Sequence, residues 1–441
     1  MTSHINYLAL SDLTAAERAA LFKRTESDLG PFLEKVKPII QAVRTEGDTA
    51  LARFAEQFDN ALVDANAIAA TPEDFDRAHT ELEGNVREAI AFAAANIRKF
   101  HDLQKPEASW SAEIRPGLHA GDRTTPIVSV ACYIPRGKGS FPSSVLMTCI
   151  PASVADVKDI CIVTPPGPDG RIDAASLVAA RAAGVNKVYK AGGAQAIAAV
   201  AYGTKTISRY AKVVGPGSPW VVAAKRLLAD LIDTGTPAGP SEAIIFADET
   251  TDGRLAALDL LIEAEHGDDS SAFIVTTSKE VADAALAAIP TYWHRMGPNR
   301  VNFTKAVLAS SRGGVLMAKD TNEAMAFIND YAPEHLQILS KEPRKYLPLI
   351  KNAGEILLGE HTPSTLGNFV LGPSHVLPTG GWAKTFSALS VHDFMKRTSV
   401  VEVTPQAYPE LAKHAGVIAK YEGFDAHANA VSDLRKKLLG N

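Results

Sequence analysis

The 441-residue chain sets 45 Lys and Arg against 50 Asp and Glu, a formal charge of −5, with 46% hydrophobic and 22% charged residues. That is the composition of an ordinary globular enzyme with room for roughly two to four domains, and it lacks the basic field that non-specific nucleic-acid binding requires. Three cysteines (Cys132, Cys149, Cys161) without a CxxC spacing exclude a disulfide framework and fit a reducing cytoplasm, and neither a leader segment nor a bilayer-length apolar run is expected to bring the chain to a membrane.

Over residues 13–105 apolar side chains recur three or four apart, as in Phe32, Val36, Ile39, Ile40 and Val43 and again across 86–100. This predicts helices, with Thr71-Pro72-Glu73-Asp74 as a helix start. Residues 110–125 change character and read as a linker or a strand hairpin. From Pro126 the rhythm becomes α/β. Residues 127–135, 159–164, 187–190 and 212–214 read as strands, and 145–155, 174–183 and 220–232 as helices. The turn Gly192-Gly193-Ala194-Gln195 opens a further helix. Strands over 243–247, 272–276, 314–317 and 355–358 continue the pattern with helices between them. Such alternation predicts parallel βαβ units in two Rossmann-like doubly wound domains. From Ser390 the chain reads as mostly helical and charged.

Several stretches can carry chemistry. In Leu260-Leu261-Ile262-Glu263-Ala264-Glu265-His266-Gly267 an apolar helical run stops at a glycine. Glu263 and His266, three residues apart, project from nearly the same face there. A carboxylate and an imidazole at that spacing suit a borderline cation such as zinc, but on this octet alone a solvated helix end, where Glu and His are common, is the readier account. Gly192-Gly193-Ala194-Gln195 and Gly215-Pro216-Gly217 are glycine turns at strand–helix junctions, where backbone N–H groups can hold a phosphate. Neither is GxGxxG. Two of them in one α/β unit, beside the strand that ends at Tyr133, favour a nucleotide crevice. Pro333-Glu334-His335-Leu336 offers a general base in His335 and a second one in Glu334, or simply a surface turn. Residues 362–381 read as a long polar loop that offers Asn368 and His375, and Glu422 and His427 lie near the C-terminus.

Taken together, these words resemble the histidinol dehydrogenase family along most of the chain. The matching stretches are Tyr133-Ile134-Pro135-Arg136-Gly137, residues 191–199, Pro237-Ala238-Gly239-Pro240-Ser241-Glu242, Ala264-Glu265-His266, Ala332-Pro333-Glu334-His335-Leu336 and His375-Val376-Leu377-Pro378-Thr379. The resemblance implies a zinc-dependent, NAD-linked oxidation of an alcohol through an aldehyde to a carboxylate by an intertwined homodimer. It implies that Glu334 and His335 are catalytic, and that Tyr133, Gln195 and Ser218 bind NAD+. It further implies that Glu263, His266, Asn368 and His427 hold Zn2+ and that Ser241, His375 and Glu422 touch substrate, with the site shared between subunits. The expected division is an N-terminal helical arm (1–27), a discontinuous α/β domain (28–130 and 244–385), an NAD-binding α/β domain (131–243) and a C-terminal helical dimerisation region (386–441).

Four positions depart from the family pattern. The family has glutamine where this chain has Glu263 and aspartate where it has Asn368, so the formal ligand charge is kept while the carboxylate changes place. Phe369 stands where tyrosine is usual, and Ser218 where an NAD-contacting asparagine is expected. These exchanges resemble the sulfopropanediol 3-dehydrogenase branch, which implies (R)-2,3-dihydroxypropane-1-sulfonate as substrate and (R)-sulfolactate as product. Oxidation of L-histidinol to L-histidine is the alternative.

Overall fold

The computed structural model describes residues 4–24, 29–136 and 139–439; Gly137 of the quoted motif, Lys138 and part of the expected 1–27 arm fall outside them. The chain divides into two compact units, Met1–Lys105 with Ile127–Phe394, and Pro106–Pro126 with Met395–Asn441.

The first unit contains two parallel sheets. Strands β1 (Tyr7–Ala9), β8 (Glu242–Ala247), β9 (Ser271–Thr276), β10 (Gly313–Met317), β11 (His335–Leu339) and β12 (Glu355–Leu358) form one, in the order β1-β10-β9-β8-β11-β12. Strands β4 (Ser129–Tyr133), β5 (Asp159–Thr164), β6 (Lys187–Lys190) and β7 (Lys212–Val214) form the other, in the order β6-β5-β4-β7. All pairings in both sheets are parallel. The chain therefore reverses its direction of winding between β4 and β7, and again between β8 and β11. The expected α/β fold with doubly wound parallel sheets is present.

Burial on both faces builds the six-stranded core. Ile245, Ile274 and Val315 pack with Ala256, Leu260 and Leu261 on one face, while Ile244, Phe246, Phe273 and Leu316 pack with Phe327 and Tyr331 on the other. The helices between these strands are α10 (Gly253–Ala264), α11 (Lys279–Trp293), α12 (Pro298–Leu308) and α13 (Thr321–Tyr331), and α14 (Ser364–Phe369) follows β12. Helices α6 (Pro142–Val154), α7 (Ala174–Ala183), α8 (Gly193–Tyr202) and α9 (Pro219–Leu228) flank the four-stranded sheet. Five of the eight buried residues of α8 are alanine: Ala194, Ala196, Ala198, Ala199 and Ala201. Small side chains let backbones approach closely there.

The N-terminal helices are α1 (Ala15–Leu21), α2 (Gly30–Glu46), α3 (Asp48–Asp59), α4 (Pro72–Glu81) and α5 (Gly84–Gln104). The sequence places 28–130 with 244–385. In the structure, however, Val36, Ile39, Ile40, Val43, Leu51 and Phe54 share a core with Tyr133, Val163, Ile197 and Val221 of the four-stranded layer. Helical periodicity marks which face is apolar but not which sheet receives it.

In the second unit β2 (Ser109–Arg115), β3 (Leu118–Pro126) and β13 (Met395–Val403) form an antiparallel sheet in the order β13-β3-β2. Residues 110–125 are thus the hairpin and not the linker. The region past Ser390, expected to be mostly helical, contains, after a short 3-10 turn over Val391–Phe394, the nine-residue β13, whose residues are almost all exposed and carry no burial signal, before α15 (Tyr408–Tyr421), α16 (Asp425–Ala430) and α17 (Asp433–Leu438). All three cysteines are buried and free. Among the described residues, no helix is long and apolar enough to cross a membrane.

Candidate active site

The site is built at the amino end of β11 and the C-terminus of α10. Helix α10 ends at Ala264 with Glu265 as its cap, which places Glu263 in the last turn, 1% exposed, and His266 just past it. Helix α13 ends on Ala332, a left-handed residue (φ 52°, ψ 65°) with no exposed surface. The chain turns sharply there and delivers Glu334 and His335 inward at 6% and 3% exposure. Glycine is required at 354 because a Cβ there would sit 2.5 Å from the Glu334 carbonyl oxygen.

The imidazole of His335 is fixed from behind. Its Nδ1 lies 2.6 Å from Glu355 Oε1, so Nδ1–H donates to that carboxylate and Nε2 is turned toward Glu334 Oε1 (3.8 Å) and Glu263 Oε1 (3.9 Å). Burial alone would lower the His335 pKa, but the carboxylates of Glu263, Glu334 and Glu355 outweigh it and push it up to about 10. Glu334 moves the other way. Burial raises its carboxyl well above the usual range and the Glu263 charge adds to this, against the pull of His335 and of the Glu242 N–H, which donates to Glu334 Oε2 at 2.8 Å. Glu263 is held well below the ordinary carboxylate range, because His335, His266 and Asn368 outweigh the effect of its burial.

Asn368 Nδ2 donates to Glu263 Oε1 at 2.8 Å, and His266 Nδ1 stands 2.9 Å from Glu263 Oε2. That second approach is close but poorly aligned for an N–H···O bond, and Nδ1 is buried with no hydrogen-bond partner. A carboxylate oxygen, an imidazole nitrogen left without a hydrogen bond and a carboxamide are a donor set that fits a divalent cation such as zinc. Among the described residues, no three His, Cys, Asp or Glu side chains converge into a ligand set on their own, so the cluster supplies two such ligands and an amide.

His375 is expected against substrate. Its Nδ1 lies 2.7 Å from the Asn368 carbonyl oxygen, which accepts and so places the proton on Nδ1, while Nε2 lies 3.1 Å from Ser144 Oγ on α6 and accepts from it. Burial pushes its pKa down to about 4, so the ring is neutral and ties α14 to the helix layer of the other sheet. Ser241 precedes β8, half-buried, and its carbonyl accepts from the Ser271 N–H.

Tyr133, Gln195 and Ser218 gather at the carboxyl edge of the four-stranded sheet. Tyr133 ends β4, and its hydroxyl oxygen accepts from the Gly193 N–H at 3.2 Å. Gly193 is left-handed (φ +56°), and a Cβ there would meet Gln195 Oε1 at 2.7 Å. Ser218 caps α9 and is exposed. Between β4 and β7, where the winding reverses, the Gly215 backbone comes so close to the Tyr133 carbonyl that a Cβ would lie 2.1 Å from it. A crevice at the carboxyl ends of strands where winding reverses is where α/β folds bind dinucleotides. Glu422 and His427 lie in the second unit, both exposed.

Glu355, Glu242 and Ser144 are missing from the sequence-based site. Glu355 faces His335 through the parallel register of β11 and β12, and Glu242 reaches Glu334 through its backbone. Both follow from strand order, which a single sequence does not state. The 362–381 loop, expected to lack structure, contains α14, whose turn buries Ser364 and Asn368.

Comparison with known proteins bears on this arrangement. The family model described as histidinol dehydrogenase matches residues 22–435. The chain is 59% identical over 437 residues to "Histidinol dehydrogenase homolog 2" of Mesorhizobium japonicum, covering 99% of each chain. It is 46% identical over 432 residues to "Histidinol dehydrogenase" of Synechocystis, covering 98% of this chain and 99% of that one. The crystal structure of histidinol dehydrogenase from Elizabethkingia anophelis superposes with a TM-score of 0.93 at 31% identity, over the whole of both chains.

Proposed function

The chain belongs to the histidinol dehydrogenase family of oxidoreductases, and from that premise we propose that it is a zinc-dependent NAD+ dehydrogenase that oxidises a small dihydroxy sulfonate to the carboxylate in two hydride transfers. The substrate is (R)-2,3-dihydroxypropane-1-sulfonate and the product (R)-sulfolactate. The observation that carries the reading is the buried Asn368–Glu263 hydrogen bond, which keeps the carboxylate on α10 and a neutral amide on α14. Relatives at 55–59% identity carry names ending in "homolog", whereas the Synechocystis relative at 46% is named for the enzyme itself; this supports a separate branch.

Glu263, His266 and Asn368 would hold the metal, with His427 of a second copy completing the set, and Tyr133, Gln195 and Ser218 would hold NAD+. When bound, zinc supplies a Lewis acid that orients the alcohol oxygen, and NAD+ accepts hydride. The rest belongs to the chain. Neutralising Glu263 removes much of the charge that keeps a proton on His335 Nε2, so that this nitrogen can take the proton of the hydroxyl. Glu355 keeps Nδ1 protonated and the ring aimed, and the imidazolium that forms is stabilised between Glu355 and Glu334. In the second half-reaction Glu334, poised by burial to exchange a proton, serves the attacking water. Glu422 and His427 are exposed, as residues serving a partner's site in a homodimer must be before assembly.

A substrate that carries a permanent anion gains from a neutral residue at 368, because unpaired like charge in a desolvated site costs several kcal/mol. The test is kcat/KM for the sulfonate and for histidinol, in the native enzyme and in Glu263→Gln/Asn368→Asp, with NADH counted per alcohol. We expect two NADH, a preference for the sulfonate, and a shift toward histidinol in the double variant. A native preference for histidinol overturns the substrate assignment, and one NADH per alcohol overturns the double oxidation.

A further inference from the structure

Two polar contacts join α10 to β11, and the proposed chemistry uses only one of them. The outer contact is Glu263 facing His335. One helical turn earlier, Asp259, 3% exposed, accepts a 2.7 Å hydrogen bond from Gln337 Nε2, and Gln337 has no exposed surface. Residues 259 and 263 are four apart on a helix, and 335 and 337 two apart on a strand, so each pair shares a face and the two contacts are successive rungs of one ladder.

The inner rung lies in an apolar layer with Ala256, Leu260 and Leu339, where a pair of leucines would be the ordinary filling. Instead the Asp259 carboxyl is buried enough to be pushed up to about 6, and its counterweight is the Gln337 amide and not a cation. Gln337 Oε1 is buried without a partner. A polar pair in such surroundings gains little stability over apolar packing, but it accepts only one helix-to-strand register. Apolar side chains slide, whereas a single donor–acceptor pair does not.

We propose that Asp259 and Gln337 are a positioning pair that sets the placement of Glu263 against His335, and with it the metal site and the base. The proposal rests on the reading of Glu263 as a zinc ligand.

The experiment compares Gln337→Leu, Asp259→Asn and the double variant Asp259→Leu/Gln337→Leu in the full-length enzyme. It reads zinc affinity by competition with a chelator, kcat and KM separately, and Tm. Asp259→Asn keeps an acceptor for Gln337 and adds a donor for its orphaned Oε1, so zinc affinity and kcat should stay within about 3-fold of native. Gln337→Leu should lose about 10- to 100-fold in zinc affinity and in kcat, the range typical of groups that orient metal ligands. The double variant buries no orphaned polar atom, so it should regain Tm while its zinc affinity and kcat remain as low as in Gln337→Leu. Recovery of affinity and kcat together with Tm would show plain packing and overturn the proposal. So would an Asp259→Asn as impaired as Gln337→Leu. A native enzyme that binds no zinc would overturn both this inference and the functional reading, whereas native zinc binding with an unimpaired double variant strikes the inference alone.

Discussion

The two parallel sheets of the first unit follow the same winding plan yet carry their candidate site residues at opposite edges. In the four-stranded sheet the winding reverses between β4 and β7, and the Gly215 backbone packs against the carboxyl end of β4 beside the Gly193 turn. In the six-stranded sheet the matching position, between β8 and β11, is filled by a polar network. Asp248, which follows β8, accepts from Ser340 Oγ, which follows β11, at 2.5 Å, and from Tyr346 Oη at 2.8 Å, with the Tyr346 ring edge-on to Phe246. Glu242, Glu334 and His335 lie instead at the amino ends of the same two strands. A winding reversal creates an opening, and the side chains that follow decide whether it becomes a site or a stabilising network.

The sharpest way to break this contrast is at the amino edge. His335→Ala should cost about 10²- to 10⁴-fold in kcat/KM, the usual contribution of a general base, while unfolding changes far less. A steady-state assay beside a melting curve reads both, and near-native turnover would remove His335 from the chemistry.

At the plugged edge the reverse is expected. Asp248→Ala strips the acceptor from Ser340, Thr250 and Tyr346 and should lower stability by roughly 3 kcal/mol, with kcat per folded molecule unchanged. Burial would raise Asp248, but these hydrogen bonds outweigh it and hold its carboxyl below the usual value. A depressed native pKa contributes stability in full above the unfolded-state value, and that stability is lost as pH falls through the native one. The stability gap between native and variant should therefore close in acid and stay constant across neutral pH. A gap that grows in acid would mean that Asp248 is not ionised in the native state.

The carboxyl edge of the four-stranded sheet should respond more gently. Tyr133→Phe removes the acceptor for the Gly193 N–H and should weaken NAD+ binding by about 1 kcal/mol, about 5-fold in KM for NAD+, with kcat little changed. An unchanged KM would place the cofactor elsewhere.

The smallest effect concerns the turn into Glu334 and His335. Ala332→Gly relieves a left-handed alanine at a gain of at most about 1 kcal/mol, visible as a Tm higher by about 1–2 °C. A lower Tm would show that the buried methyl group contributes more than the strain costs.

Sequence alone made much of this legible, because the information was local. The strands over 187–190 and 355–358 and the helix over 174–183 stand where alternation placed them, and Glu263 lies within 4 Å of His266, Asn368 and His335. What escaped was set by partners far along the chain. The pairing of His335 with Glu355 depends on strand register, and the docking of α2 and α3 depends on which sheet offered a matching face. Strand β13 escaped because it shows almost no buried side chain to reveal a period of two.

The alanine-filled interior of α8 bears on how such an enzyme can change over evolutionary time. Ala196, Ala198 and Ala199 have no exposed surface, and each position would resist any larger side chain, since overpacking typically costs about 1–3 kcal/mol. The scaffold behind the proposed cofactor edge is therefore nearly closed to drift. Innovation is confined to ends and turns: the last turn of α10, the short α14, the strand tips. Glu263 and Asn368 sit at two of those places, so under the proposed function a lineage could exchange its substrate while the scaffold around α8 stays the same.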